Sequence, residues 1–386
     1  MKEIQHCVRV RLCAPVEARI PRVMARRSVG REEAIELIRK ADEGASARIQ
    51  QFFRVRWGDP LVYDLVINIA SAEGHRELIP ALLARGHRVV VLDKEVGALQ
   101  PLIQPRLELV PGAVEDPAAV AEAAHGAEVI IHLAWSFSDD MRILLEQDLR
   151  GHLLLLEAAR KEGVRHFLYT STAVVYGKPI RVPIDEDHPL CVLEARKPTY
   201  GMAKEFAEKL TLLGGQTGGM PVTILRFWWA FGAEIGGRHL REMLRTAAAG
   251  EPVRVPANCG GSFLSMEDFN LAAELILLNP RSFGEVFNLA SAYVTWEEVA
   301  RMVVEVTGSS GRVEGVPQTE WTGAAFLADR WELDDRKIRE SLGFKPTRDP
   351  AGVREALRRA IAQTWQRVAK LSNHACFSRT KTLFPW

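Results

Sequence analysis

Cysteine is scarce in this chain, and long apolar runs are absent. The five cysteines among 386 residues (Cys7, Cys13, Cys191, Cys259 and Cys376) are scattered. They show neither the paired spacing of a metal site nor the rhythm of a disulfide framework. No apolar stretch approaches the ~20 residues that a membrane-spanning helix needs. Charge of one sign is missing too: 50 Lys and Arg against 49 Asp and Glu leave a net charge of +1. That balance gives no electrostatic argument for a nucleic acid or a membrane surface as partner. No histidine cluster suggests a metal. What remains is a chain of 47% hydrophobic residues, long enough to bury a large core. It is expected to be a soluble, cytoplasmic protein.

The apolar runs alternate with helical patterns. Leu65 to Ile69 reads as a first buried strand, Glu77 to Arg85 as a helix stopped by Gly86, and Val89 to Asp93 as a second strand. Further strands are expected at Leu107 to Val110, Glu128 to Leu133, His166 to Thr170 and Val222 to Arg226. Such alternation predicts an α/β fold, a doubly wound parallel sheet covered on both faces.

Chemistry concentrates in Lys197-Pro198-Thr199-Tyr200-Gly201-Met202-Ala203-Lys204, where a helix is expected over Tyr200 to Leu213. Residues four apart lie on one helix face, one turn from each other. A free phenol ionises near ~10 and is a poor base at neutrality. A lysine ammonium beside it is expected to favour the phenolate, so that the pair can move a proton to or from a hydroxyl or ketone. Upstream, Phe167-Leu168-Tyr169-Thr170-Ser171-Thr172-Ala173-Val174-Val175-Tyr176-Gly177 reads as a buried strand entering a hydroxyl-rich turn.

Together these two segments resemble the extended short-chain dehydrogenase/reductase family, the NAD-dependent epimerases and dehydratases. Supporting phrases are His132-Leu133-Ala134, Leu153 to Arg160, Gly284 to Leu289 and Leu342 to Pro346, and the likeness runs from about Val62 to Ala369. It implies a Rossmann-like core over 61–227, a smaller substrate lobe with returning core segments over 228–370, an N-terminal extension over 1–60 and a tail over 371–386. By position, Tyr200 would be the general acid/base, Lys204 would bond the nicotinamide ribose, and Thr172 would hydrogen-bond the reacting oxygen. Thr172 equally suits a turn threonine that caps its own backbone. The same likeness places the cofactor against Ser71, Gly74, Asp93, Leu133, Ala134, Thr170 and Phe227, besides Tyr200 and Lys204. It also implies a homodimer paired through the helices at Ile143 to Ala159 and Tyr200 to Leu213.

Glycine is missing where that resemblance most needs it. A dinucleotide turn uses three glycines, for the bend, for close approach to the pyrophosphate and for helix packing. Their places fall on Ile69, Ala72 and His75; Gly74 is one residue out of register, and Glu73 sets a carboxylate where phosphates belong. Ala113 replaces an acid expected to hold the adenine amine. Two readings stay open. Either the small residues of Ala70-Ser71-Ala72 still admit a dinucleotide, or the fold has lost it. Asp93, at a strand end about twenty residues on, suits the adenosine ribose hydroxyls and favours NAD over NADP.

Other departures bear on substrate. Dehydratases of this family carry Asp-Glu after the threonine, whereas Ala173 and Val174 stand here and transfer no protons. Sugar-nucleotide epimerases carry an asparagine and a diphosphate-binding arginine where Trp229 and Gly261 stand, although Arg238 or Arg241 could substitute. Aromatic residues replace these groups: Trp135 and Phe137 after the fourth strand, Trp228 and Trp229 after the sixth. They suit a wall for an apolar or ring-bearing alcohol or ketone, or alternatively the core of the lobe. The expected function is an NAD(P)-dependent oxidoreductase or epimerase. Its rivals are a cofactor-independent isomerase, lyase or cyclase, and a non-catalytic scaffold. Residues 1–60 are Arg-rich at first, which suits either a targeting segment or a packed extension. An apolar stripe (Ala34, Leu37, Ile38, Ala41) and a cluster (Ile49, Phe52, Phe53) come next, and Phe384 and Trp386 suggest a packed tail.

Overall fold

The structure, a computed structural model, describes residues 24, 30–37, 66–68, 72–96, 99, 102 and 104–375. Thirteen strands are found among them. They are β1 (Val66–Asn68), β2 (Val89–Asp93), β3 (Leu107–Pro111), β4 (Val129–His132), β5 (His166–Thr170) and β6 (Val222–Arg226). The rest are β7 (Trp229–Phe231), β8 (Val253–Pro256), β9 (Gly260–Ser265), β10 (Val286–Asn288), β11 (Ala292–Thr295), β12 (Val313–Val316) and β13 (Arg330–Trp331). A seven-stranded sheet runs β10-β6-β5-β4-β1-β2-β3, every neighbouring pair parallel. The order reverses between β1 and β4. In an open α/β sheet a ligand lies outside the strand ends at such a reversal.

Strands β2, β5 and β6 have the bounds the apolar runs predict, because each is buried on both faces and most of its residues are apolar. One core layer packs the Ala72–Ala84 and Met266–Ile276 helices on the sheet through Leu78, Ile79, Leu82, Phe269 and Ile276. The opposite layer uses the Pro117–Ala124, Arg150–Glu162 and Pro198–Gly218 helices, with Leu155, Ala159, Ala203 and Ala207 against Ile130, Phe167 and Ile224. A second lobe surrounds β7, β9, β11 and β13, with the Trp296–Thr307 and Pro350–Ala375 helices packed beside it. Residues 31–37 are helical, as the acidic start implies; of the apolar stripe Ala34 is fully buried and Leu37 exposed, while Ile38 and Ala41 lie outside the described residues. Ser71, the Ile49–Phe53 cluster, Phe384 and Trp386 lie outside the described residues.

The helix expected over Ile143 to Ala159 is not regular. Residues Leu144–Leu149 form a π-turn before the Arg150–Glu162 α-helix. Leu144 and Asp148 are buried within it, and such bulges cluster at functional sites. Among the described residues no helix is long and apolar enough to cross a membrane.

Candidate active site

The Pro198–Gly218 helix starts with Pro at its first position, where the missing N–H costs nothing. One face of it carries Tyr200, Ala203, Lys204, Ala207, Glu208 and Thr211, all buried. The four-residue spacing therefore brings Tyr200 and Lys204 together over the ends of β4 and β5. Lys204 Nζ donates to the Thr170 carbonyl (2.9 Å) and sits 4.1 Å from the centre of the Trp135 ring and 4.8 Å from that of Tyr169. Thr172 accepts from its own Val174 N–H at 3.3 Å, as a turn threonine would. It also faces the Tyr200 phenol, whose ionisation it favours.

The ionisation of the pair differs from expectation. Burial raises the Tyr200 phenol, and Asp148 raises it further against the opposing effect of Thr172 and the charge of Arg196. Lys204 is 3% exposed. Burial brings its ammonium down from 10.5 to about 7, although Asp148 and Glu208 favour the charge. An ammonium that is itself destabilised by burial gives the phenol little help. The correction is physical: helical spacing fixes proximity, while solvent exclusion sets the protonation states.

Two residues join the site that sequence reasoning did not single out. Asp148 is buried and accepts from Ser136 N (2.9 Å) and Ser136 Oγ (2.5 Å). Burial raises its carboxyl, and the charge of Lys204 pulls the other way. An acid on a helical stretch reads as part of a solvated face, although Asp148 stands three and four residues before the buried Gly151 and His152. Arg196 lies 4.1 Å from the Phe326 ring centre, within electrostatic reach of Tyr200.

Behind the site, His132 and His152 share a 2.8 Å Nδ1–Nδ1 contact, and both are held unprotonated chiefly by burial. Thr211 Oγ1 donates to the Ala207 carbonyl (2.8 Å), so it accepts from His152 Nε2 (2.9 Å). His152 Nδ1 is then an acceptor, and His132 donates from Nδ1. His132 Nε2, Tyr169 Oη, Trp135 Nε1 and Ser171 Oγ are buried without a hydrogen-bond partner, and the Trp135 and Tyr169 rings lie against Lys204. Thr170 Oγ1 closes the set by donating to the His132 carbonyl at 3.0 Å.

The helix is fixed from below by ions. Glu208, one turn after Lys204, takes two bonds from Arg226 at the end of β6 (3.0 and 2.6 Å). Arg226 also bonds Tyr176 Oη (3.1 Å), which donates to Asn288 Oδ1 (2.7 Å) on β10. Strands β6 and β10, the turn after β5 and the Tyr200 helix thus share one buried network.

The aromatic residues divide. Phe137, 56% exposed and left-handed at φ 55°, stacks on Tyr200 with centroids 5.8 Å apart. Lys197 holds its loop, donating to the Phe137 carbonyl (3.1 Å) and pairing with Asp139 (3.1 Å). Trp135 is 2% exposed and lies beneath Lys204. Trp228 and Trp229 pack with Phe263 and Trp296 in the lobe core. A Cβ on Gly261 would stand 2.3 Å from the Trp228 ring. The tryptophan therefore fills the space where an arginine was sought. Leu133 and Phe227 are half-buried and Ala134 buried at the strand ends, and Gly74 falls within the Ala72–Ala84 helix. Asp93 ends β2, and its Oδ1 accepts from Glu95 N at 2.7 Å. Among the described residues no cluster of three His, Cys, Asp or Glu could hold a metal.

Comparison with known proteins agrees with this fold. Residues 76–290 match the model of the NAD dependent epimerase/dehydratase family, and residues 1–71 match that of the Cytidylate kinase-like family. A UDP-glucose 4-epimerase of Rhizobium meliloti is 30% identical over 305 residues, 71% of this chain and 90% of that protein. A dTDP-glucose 4,6-dehydratase of Streptomyces niveus is 29% identical over 278 residues, 68% of this chain and 80% of that protein. The structure of a UDP-glucose 4-epimerase from Thermotoga maritima, at 20% identity, superposes with a TM-score of 0.63 and covers 79% of this chain and 99% of that one. By a family match over more than half its length and by the sheet order that carries Tyr200 and Lys204 to the strand ends, this chain belongs to the NAD dependent epimerase/dehydratase family of enzymes.

Proposed function

We propose that this protein is an NAD-dependent oxidoreductase or epimerase acting on a secondary hydroxyl or ketone of a ring-bearing small molecule. The observation that carries the reading is the assembly of Tyr200, Thr172 and Lys204 beside the end of β5, where Lys204 donates to the Thr170 carbonyl and Thr172 favours ionisation of the Tyr200 phenol. The residues fit the nicotinamide riboside half of the cofactor. Lys204 is a buried donor one helical turn from Tyr200, and the Trp135 and Tyr169 rings that lie against it carry unpartnered polar atoms, as does Ser171.

The nicotinamide, when bound, supplies hydride exchange at the substrate carbon. The chain's own residues do the rest. Thr172 and Tyr200 hold the reacting oxygen between them, and Tyr200 Oη gives or takes its proton. With its phenol raised by burial, Tyr200 starts protonated at neutral pH and is poised as an acid toward a ketone. Phe137 covers the tyrosine and limits its contact with water. Ala173 is fully buried and Val174 half-buried, and neither can move a proton. The relatives' sugar-nucleotide substrates favour a ring hydroxyl, and the missing Asp-Glu pair disfavours an elimination. The core, lobe, extension and tail divide at about residues 60, 227 and 370.

Pairing as a homodimer is part of the same reading. Leu145, Leu153, Met202, Phe206 and Leu213 are exposed apolar residues on the two helical segments the family pairs. Calorimetric titration of the full chain with NAD and NADP tests the cofactor. Saturable NAD binding that Lys204→Met weakens is expected, with NADP disfavoured by Asp93. A folded protein giving no heat at millimolar NAD refutes the reading. Sedimentation equilibrium of the wild type and of Phe206→Glu tests the dimer.

A further inference from the structure

One charge beside the Tyr200 phenol is left unused by the proton-transfer set. Arg196 stands just before Lys197, the residue that caps the Pro198–Gly218 helix. Its guanidinium acts on Tyr200 and favours the phenolate, against burial and Asp148. The side chain starts from the core and ends on the lobe. Arg196 Cζ lies 4.1 Å from the ring centre of Phe326, in the Ala325–Ala328 turn. His239 packs on the same ring, with centroids 5.1 Å apart. Phe326 is buried, whereas Arg196 is exposed. Stacking thus fixes one face of the guanidinium and leaves its N–H edges for a ligand. Among the described residues no carboxylate or carbonyl accepts a bond from it.

The charges around it cancel in pairs. Lys197 meets Asp139 at 3.1 Å, and Arg238 meets Glu242 at 3.5 Å. Burial holds His239 below its ordinary value, so at neutral pH it adds no charge. Three cations against two carboxylates leave a single positive charge, and Arg196 is the one without a partner. The lobe carries no cation at Gly261, where the Trp228 indole fills the space. A planar guanidinium edge matches the two oxygens of one carboxylate. A diphosphate would call for more positive charge than this cluster holds.

We infer that Arg196 is a specificity-determining residue, and that the ring-bearing alcohol or ketone taken at Tyr200 carries a carboxylate, which Arg196 anchors across the cleft between core and lobe. This deepens the function proposed above and rests on it. Phe137, exposed and stacked on Tyr200, offers the ring of such a substrate an apolar face.

Calorimetry of the full chain, with and without millimolar NAD, tests the assignment on three probes: 3-hydroxycyclohexanecarboxylate, its carboxamide and the matching phosphate ester. The carboxylate should bind about tenfold or more tighter than the carboxamide, the effect of one charge-assisted pair. Arg196→Gln should weaken the carboxylate to the level of the carboxamide and leave the carboxamide within about twofold of its wild-type value. Arg196→Lys, which keeps the charge and loses the fork, should restore part of the difference. If Arg196→Gln fails to fold, the wild-type comparison and Arg196→Lys decide. Equal binding of carboxylate and carboxamide, a preference that Arg196→Gln leaves unchanged, or no binding of any probe would overturn the inference. A phosphate ester bound about tenfold tighter than the carboxylate would overturn the assignment of a single carboxylate. The two readings fail separately. Heat from NAD without a carboxylate preference removes the inference alone, whereas an Arg196-dependent preference in a folded protein that gives no heat with NAD keeps the anion anchor and removes the nicotinamide reading.

Discussion

Replacing Lys204 by methionine should stabilise the protein while abolishing its chemistry. Methionine keeps the length and the contacts with the Trp135 and Tyr169 rings, and it removes the charge. Burial brings the Lys204 ammonium down from 10.5 to about 7. At ~1.4 kcal/mol per tenfold change in the ionisation constant, that gap costs the folded state about 5 kcal/mol wherever the lysine is fully protonated. The folded state binds the proton more weakly than the unfolded state, so the penalty is complete below about 7 and fades as pH rises toward 10.5. The lost bond to the Thr170 carbonyl offsets roughly 1 kcal/mol of the gain. Denaturant unfolding of both proteins at pH 7 and pH 9 is the assay. Methionine should be the more stable form at pH 7, and its advantage should shrink by about 2 kcal/mol at pH 9. A methionine variant less stable at both values, with a difference flat in pH, would refute the claim that Lys204 is held near neutrality by burial.

Glu208→Ala should cost about 3–5 kcal/mol, because it leaves the Arg226 guanidinium buried without its carboxylate; chemical denaturation gives the value, and a loss under about 1 kcal/mol would contradict it. Gly261→Arg should destabilise by about 1–3 kcal/mol through overpacking against Trp228, whereas in a Trp228→Ala background the arginine should be tolerated. Phe137→Ala removes the ring stacked on Tyr200 at a residue held in a left-handed φ. Thermal stability should change by less than about 1 kcal/mol, while the KM for substrate moves more than kcat. Tyr200→Phe should leave NADH fluorescence binding within about threefold of wild type, because the lost hydroxyl serves the substrate, and reduce turnover at least ~100-fold.

The sheet was legible in the chain because strands buried on both faces are mostly apolar, with polar residues such as Thr223 and Arg226 admitted only where a partner meets them. Hence β2, β5 and β6 can be read from their apolar runs, and Gly86, at φ 92°, ends its helix region as a left-handed residue should. The same local rule put Tyr200 and Lys204 on one helix face. It could not assign their protonation, which depends on how much solvent three layers of structure exclude. Asp148 was hidden for another reason: helical spacing sets it on the face of Gly151, His152 and Leu155, but a carboxylate there reads as solvated until the tertiary structure buries that face.

The aromatic run after β6 shows the limit most plainly. From Phe227 to Phe231 the sequence offers rings enough for a pocket wall or for a core. Only Gly261, lying beneath the Trp228 indole, and Phe263 and Trp296, brought from distant strands and helices, commit Trp228 and Trp229 to the core of the lobe. Sequence by itself determined the period of each element, and with it which side chains share a face. Tertiary structure decided which of those faces meet, and therefore which groups lose their water, because desolvation depends on neighbours that lie far away along the chain.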